Sequence, residues 1–417
     1  MKKFLPLICL ALWSIMLHGG GVTFIITADL HGQLDSFAKL APVIRRYPEA
    51  VKIDLGDMVQ GNFAAVSADG FPVLQCFNAL GYQIIVPGNH DLEFPEAVLI
   101  RWQKFFRGQL LGAQWALGNF RMPGFSVVEK DGFRIGIIAL GAVKLKKYAA
   151  FWKRLSYHDE TAAVSDAIDR LRMLKCDAYL LIGHIGAENF GVLNGLLRKN
   201  PEINAVIGSH THREVPGGRI SGIMAVQPAA HGNSAVKLEL IFDNDRHLKY
   251  LRSSILYPQK DPDPEITAII RQMEADSAGK HHKILGKFRD IDEFGRYAAE
   301  VIRQSSGADA AVIGINKAAF RKNITAGTLF EMLPYGNRIT VVTLPRAAVR
   351  GLLRRKSGGR KYFGAGDFSK PYIKVAISDF LLSDITDPPE AEVLEKFERQ
   401  EIEKALKSRN IPDFNAE

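Results

Sequence analysis

The 417-residue sequence predicts an α/β protein with a second, smaller α/β unit behind the first. Three observations carry this. Short continuous apolar runs alternate with helical stretches from Val22 onward, each run ends in a loop rich in Gly, Asp, Asn or His, and the pattern changes after about Lys287. The length exceeds one ordinary core and suits two domains. With 47% hydrophobic and 24% charged residues, the chain reads as neither disordered nor polytopic.

The predicted strands open VTFIITADLHG, AVKIDLGDMVQG, YQIIVPGNHD, RIGIIALG, AYLLIGHIG, AVIGSHTH and IMAVQPAAHG. A helix is expected over residues 159–174, where apolar residues recur at helical spacing. SAVKLELIFDNDRHLKYLRSSIL reads as a closing hairpin with Asp243, Asn244 and Asp245 in its turn. YPQKDPDPE and a helix over about 266–278 form a linker, residues 258–286. The second unit covers 287–385 through GADAAVIGIN, ITVVTLP and PYIKVAISDF, and a charged helical tail occupies 386–417.

Residues 1–20 stand apart. Lys2 and Lys3 precede an apolar run over residues 4–17 and the glycines Gly19, Gly20 and Gly21. A basic start, a short greasy stretch and small residues make a secretory signal, and the run is shorter than the ~20 residues of a comfortable bilayer span. The expectation is an exported protein, periplasmic or extracellular. His18 and Leu17 make a poor cleavage site, which keeps an uncleaved membrane tether as the alternative. Cys9 lies within this segment, and Cys76 and Cys176 sit in apolar settings that suit inert thiols, so no disulfide is expected.

Net charge is +9, and +7 once Lys2 and Lys3 are set aside. Such a balance favours anionic partners. No aromatic-interleaved basic stripe accompanies it, so a nucleic-acid polymer is not the expected partner. The basic runs over 144–147 and 350–361 read as solvated faces.

The loop residues define a metal site. Asp29 and His31 form D-x-H after the first strand, Asp57 sits in LGDMVQGN, Asn89 and His90 in PGNHD, His184 in LIGHIG, and His210 and His212 in GSHTH. All fall at strand C-terminal ends, where open α/β sheets place ligands. Mixed carboxylate and imidazole donors suit zinc, manganese, iron or cobalt. A carboxylate between two half-sites could bridge them. Two metals about 3.5–4 Å apart lower the pKa of a shared water and clamp phosphoryl oxygens in an in-line displacement, which is what phosphate-ester hydrolysis requires.

DLHG, LGDMVQG, GNHD, LIGH and GSHTH, in this order, resemble the motif set of calcineurin-like metallophosphoesterases. NALGYQIIVPGNHDLEF and LFEMLPYGN are similar to the bacterial 5′-nucleotidase and 2′,3′-cyclic-nucleotide phosphodiesterase branch. The resemblance spans roughly Thr23 to Asp379. It implies a four-layer αββα metallophosphoesterase sandwich over residues 21–257, followed by a substrate-holding C-terminal domain. It also implies two divalent metals, one held by Asp29, His31, Asp57 and His212, the other by Asp57, Asn89, His184 and His210. His90 then stabilises the transition state or protonates the leaving oxygen, supported by Glu93 or Asp91. The usual glycine-rich stretch ending in arginine is here Asn316 to Arg321, with the glycines gone; Asn316, Arg321 and Asn337 become candidates for substrate binding, with Asn89.

The family's terminal glycine-aspartate-glycine-aromatic segment is replaced by LLSDITDPP, and Tyr362 or Phe363 is left as a stacking candidate or a core residue. The implied function is an exported phosphomonoesterase acting on a nucleotide, a monomer whose partner is a small phosphate ester. The alternatives are a 2′,3′-cyclic-nucleotide phosphodiesterase, a nucleotide-sugar hydrolase, a non-nucleotide phosphoesterase, or a non-catalytic binding protein on the same scaffold.

Overall fold

The computed structural model describes residues 20–142, 145–149, 151–187, 194–355, 359–385 and 387–408. The expected signal and Cys9 lie outside them, apart from Gly20.

Two six-stranded sheets pack face to face. The first runs, edge to edge, Leu248–Leu256, Ala235–Phe242, Gly21–Thr27, Val51–Asp54, Tyr82–Ile85 and Gln109–Leu110. The second runs Val215–Ile220, Ile223–Gln227, Ile203–Ile207, Ala178–Gly183, Phe133–Leu140 and Phe125–Lys130. Each has four parallel strands, with antiparallel hairpin strands completing the order. Phe24, Ile26, Ile53 and Leu238 of one sheet meet Ile135, Ile137, Leu180 and Ile207 of the other in a common core. Because strand side chains alternate, Ile25 and Ile85 face outward onto Phe37, Leu74 and Phe77 of the covering helices. On the far side Ile138, Leu181 and Val206 meet Val164, Ile168 and Leu171 of the helix Glu160–Met173. The result is the four-layer αββα order that the sequence resemblance implies.

Fully buried strands explain the unbroken apolar runs: all four residues of Val51–Asp54 are inside. By contrast Ala235–Phe242, with one half-exposed face, alternates. Helix starts are marked by side-chain caps. Asp159 accepts from Thr161 and Ala162, and Asp290 accepts from Glu293. The linker helix runs Pro264–His282, longer than its apolar spacing suggests, because Asp263 caps it and Pro264 occupies its first turn. Ile266, Ile270 and Met273 tie it to the first unit's core.

The C-terminal unit is a five-stranded sheet in the order Arg360–Gly366, Ala310–Asn316, Tyr372–Ser378, Arg338–Pro345 and Ala391–Phe397. The helix Ile291–Ser306 covers one face through Phe294, Tyr297, Ala298 and Ile302. Ala391–Phe397 corrects the expectation of a wholly helical tail from residue 386. It pairs antiparallel with Arg338–Pro345, burying Ala391 and Phe397 while Glu392, Glu395 and Lys396 remain outside. Those edge charges dilute the strand's apolar alternation and hide it in the sequence. The helix Glu398–Ser408 then buries Ile402 and Leu406 in the same core.

Candidate metal centre

Every motif residue emerges from the loops at the C-terminal ends of the parallel strands. Asp29, His31, Asp57, His210 and His212 all take positive φ, between 46° and 72°. That conformation is uncommon for any residue with a Cβ, and five instances around one point mark a site held by its surroundings. The loops are laced together by backbone bonds: Asp29 N–H donates to Gly56 O and His31 N–H to Asp57 O, both at 2.9 Å. Gly88 has no alternative here, since a Cβ would lie 2.1 Å from Asp57 Oδ1.

Two donor groups result. Asp29, His31 and His212 bring ligand atoms within 4.8 Å of one another, as do Asp57, His184 and His210. Asp57 Oδ2 lies 3.1 Å from His184 Nε2 and 3.8 Å from His31 Nε2, so its carboxylate stands between the groups. His31 Nε2 and His212 Nε2 are 3.1 Å apart, and His210 Nδ1 and His184 Nε2 are 3.2 Å apart.

Second contacts fix which nitrogen faces the centre. His184 Nδ1 donates to Leu55 O at 2.6 Å, and His31 Nδ1 lies 3.1 Å from Gln60 Oε1, so each ring presents Nε2 inward. Asn89 Oδ1 is buried without a hydrogen-bond partner. An orphaned amide oxygen beside converging imidazole nitrogens and carboxylates is what a divalent cation satisfies, so the residues fit metals.

The electrostatics follow from crowding. Burial raises the Asp29 carboxyl to about 7. Burial also opposes ionisation of Asp57, but His184, His90 and His31 hold it well below the usual carboxylate range. His184 is disfavoured as a cation by burial, yet Asp57 and Asp29 lift it to about 10. His212 is lowered to about 4 by burial and by His31 and His231.

His90 sits beside this centre. Its backbone N–H donates to Asp57 Oδ1 at 2.8 Å, and its Nδ1 is 2.5 Å from Glu93 Oε1. Asp91 instead turns inward, accepting backbone N–H groups from Asp57 and Gly88 at 2.8 Å and from Met58 at 3.3 Å. Asp91–Glu93 is a 3-10 turn starting at His90, which puts positions three apart on one face. Glu93 is therefore the carboxylate on His90, and Asp91 pins the ligand loops.

A cleft of about 310 Å³ opens next to His90, lined by Asn89 and Glu93 on one side and by Tyr335, Asn337, Arg360 and Phe380 on the other. The Tyr335 ring stacks on His90 at 5.3 Å, and the Arg360 guanidinium lies 5.1 Å from the Tyr335 ring and 5.9 Å from that of Phe380. Of the substrate residues expected from sequence, Asn89 and Asn337 line this cleft. Asn316, Arg321 and Phe363 do not. Asn316 caps a short turn, accepting from Ala318 N, and Arg321 donates to the carbonyls of Ala318 and Phe320 in its own loop. Phe363 is a core residue, 6% exposed and packed against Gly295; Tyr362, 7% exposed, is buried too.

Sequence reasoning missed Gln60, which holds His31, and His231, whose ring lies 5.6 Å from His31 and 5.2 Å from His212. His231 lies in the AAHG loop, in the same strand-then-loop pattern as the donor residues, and that was the available signal.

Residues 22–214 match the calcineurin-like phosphoesterase family. Among curated proteins the chain is 22% identical over 344 residues to Endonuclease YhcR of Bacillus subtilis, covering 72% of this chain and 28% of that one. It is 25% identical over 241 residues to 5′-nucleotidase of Rattus norvegicus, covering 50% and 40%. The chain thus spans less than half the length of these relatives. Among solved structures, a 5′-nucleotidase precursor from Thermus thermophilus superposes with a TM-score of 0.63 at 15% identity, covering 94% of this chain and 97% of the other, a likeness of fold. Motif order, converging donors and family match together make residues 22–214 of this chain a calcineurin-like phosphoesterase domain.

Proposed function

We propose that this chain is a metal-dependent phosphoester hydrolase that releases phosphate from monoesters of nucleotides outside the cytosol. The observation that carries the reading is the donor set of Asp29, His31, Asp57, Asn89, His184, His210 and His212 with His90 and its carboxylate at the rim. Two divalent cations, one held by Asp29, His31, Asp57 and His212 and the other by Asp57, Asn89, His184 and His210, would supply an activated water and neutralise phosphoryl charge.

The remaining work falls to the chain's own groups. Glu93 takes the Nδ1 proton of His90 in a hydrogen bond and favours the imidazolium, so the proton given to the departing oxygen is the one on Nε2. The Tyr335 ring, stacked on His90, limits its rotation and shields one face of the cleft from water. Arg360, spread over Tyr335 and Phe380, offers a cation for a second anionic group. Export rests on the basic and apolar character of residues 1–20, and monomeric state is part of the same proposal.

A second reading keeps the chemistry and changes the ester. Phe363 lies in the core rather than in the cleft, so the sequence's stacking candidate is unavailable to a base. Cyclic-nucleotide, sugar-linked or non-nucleotide esters are then the alternatives. Protein stripped of metal and resupplied with Mn²⁺, Zn²⁺, Co²⁺, Fe²⁺ or Mg²⁺ separates them on AMP, a cyclic nucleotide, UDP-glucose and p-nitrophenyl phosphate. Metal-restored release from AMP is the expected result. Release from the chromogenic ester alone moves the substrate away from nucleotides, and no turnover with any metal refutes the hydrolase.

A further inference from the structure

One segment of the C-terminal unit, the loop 334–337 with Arg338 at the start of the strand that follows it, reaches both halves of the site in the first unit. Gly336 N–H donates to Glu93 Oε2 at 2.6 Å, while the other oxygen of the same carboxylate is 2.5 Å from His90 Nδ1. Gln60 Nε2 donates to Pro334 O at 3.3 Å, while Gln60 Oε1 is 3.1 Å from His31 Nδ1. Between them the Tyr335 ring lies on His90.

The loop is clamped in place. Arg338 is 2% exposed and donates to Leu92 O at 2.8 Å and Phe94 O at 3.1 Å, the two carbonyls flanking Glu93. Its guanidinium is 4.2 Å from the Trp152 ring and 4.8 Å from that of Phe397. Position 336 admits no side chain without movement, since a Cβ would meet Glu93 Cβ at 2.8 Å and Glu93 O at 3.0 Å.

We infer that residues 334–338 position the catalytic groups of the first unit: the Gly336 N–H orients His90 through Glu93, and the Pro334 carbonyl orients His31 through Gln60. A carboxylate with both oxygens engaged has one orientation, so the imidazole it holds has one as well. If the loop moves away, Glu93 loses its second anchor and His90 its stacked ring. Gly336, Arg338 and Gln60 are on this account positioning residues. The inference rests on the hydrolase reading above and adds that the C-terminal unit must be docked for proton delivery.

The test separates proton delivery from everything else by the leaving group. Glycerol phosphate loses an alkoxide that needs a proton, whereas p-nitrophenolate departs without one. In Gly336→Ala, kcat for glycerol phosphate should fall at least ~10-fold, toward the loss that general-acid removal brings, while kcat for p-nitrophenyl phosphate falls less than about threefold. KM for either ester should change little. Arg338→Lys, which keeps charge but cannot span two carbonyls, should show the same split to a smaller extent. It decides the matter should Gly336→Ala fail to fold. In parallel, the downfield proton resonance of His90 Nδ1–H, assigned by its loss in His90→Ala, should shift or broaden in both variants. Equal losses on the two esters, or an unmoved resonance in a folded variant, overturn the inference. Turnover of neither ester by the wild type refutes the hydrolase instead, and the resonance still reports whether the loop holds His90.

Discussion

His184 Nδ1 donates to the Leu55 carbonyl at 2.6 Å, which leaves Nε2 facing Asp57 Oδ2 at 3.1 Å. Without metal the neighbouring Asp57 and Asp29 raise this imidazole to about 10 despite its burial, so it is a cation at pH 7. A metal ligand must be neutral, and loading the site therefore expels the Nε2 proton. Metal uptake at pH 7 should release at least one proton per chain, read by titration calorimetry in buffers of different ionisation heat. In His184→Ala that release should drop by about one. Uptake without proton release contradicts this account of His184.

Glu93 and Asp91 divide function from stability. Glu93→Gln should lower kcat on an alkyl phosphate by ~10²-fold or more while leaving the melting temperature nearly unchanged, because Glu93 acts on His90. Asp91→Ala leaves three buried N–H groups unpaired, those of Asp57, Met58 and Gly88. It should cost more than about 3 kcal/mol of stability and weaken metal binding, as read by denaturant unfolding and metal analysis. A stable Asp91→Ala with normal metal content would reverse the division.

A buried carboxyl sets a pH dependence within the C-terminal unit. Glu398 is 4% exposed, its Oε1 has no partner, and burial together with Asp379 raises it to about 8. The folded state therefore holds a proton that the unfolded chain, with an ordinary value of 4.5, releases earlier. Stability is fully present below about pH 4.5 and declines as pH rises toward 8. Asp379, raised to about 7 by burial, adds a decline of the same sign. Glu398→Gln should lose less melting temperature than wild type between pH 5 and 8.5; parallel curves would show that Glu398 is ionised in the fold.

The ligands were legible in the sequence because they follow short, largely buried apolar runs, the clearest being Val51–Asp54 before Asp57 and Ala178–Gly183 before His184. Asp91 and Glu93 could not be told apart by spacing alone, since the choice depends on the 3-10 turn that begins at His90. Gln60 lies within LGDMVQG, but its role depends on where the fold brings His31, which no spacing shows. Tyr335, Arg360 and Phe380 come from three separate segments, and only the sheet order brings them to one cleft. Phe363 was readable as core or as stacking face, and its register opposite Ile313 placed it in the core.

The most direct test of the two-metal account is metal content measured beside activity. Protein stripped by chelation and titrated with Mn²⁺ should bind two equivalents per chain, with p-nitrophenyl phosphate hydrolysis rising to completion only as the second is filled. Asp57→Asn, altering the carboxylate between the two groups, should lower both quantities. Full hydrolysis in the metal-free protein, or a chain that binds no metal at this site, would contradict the account.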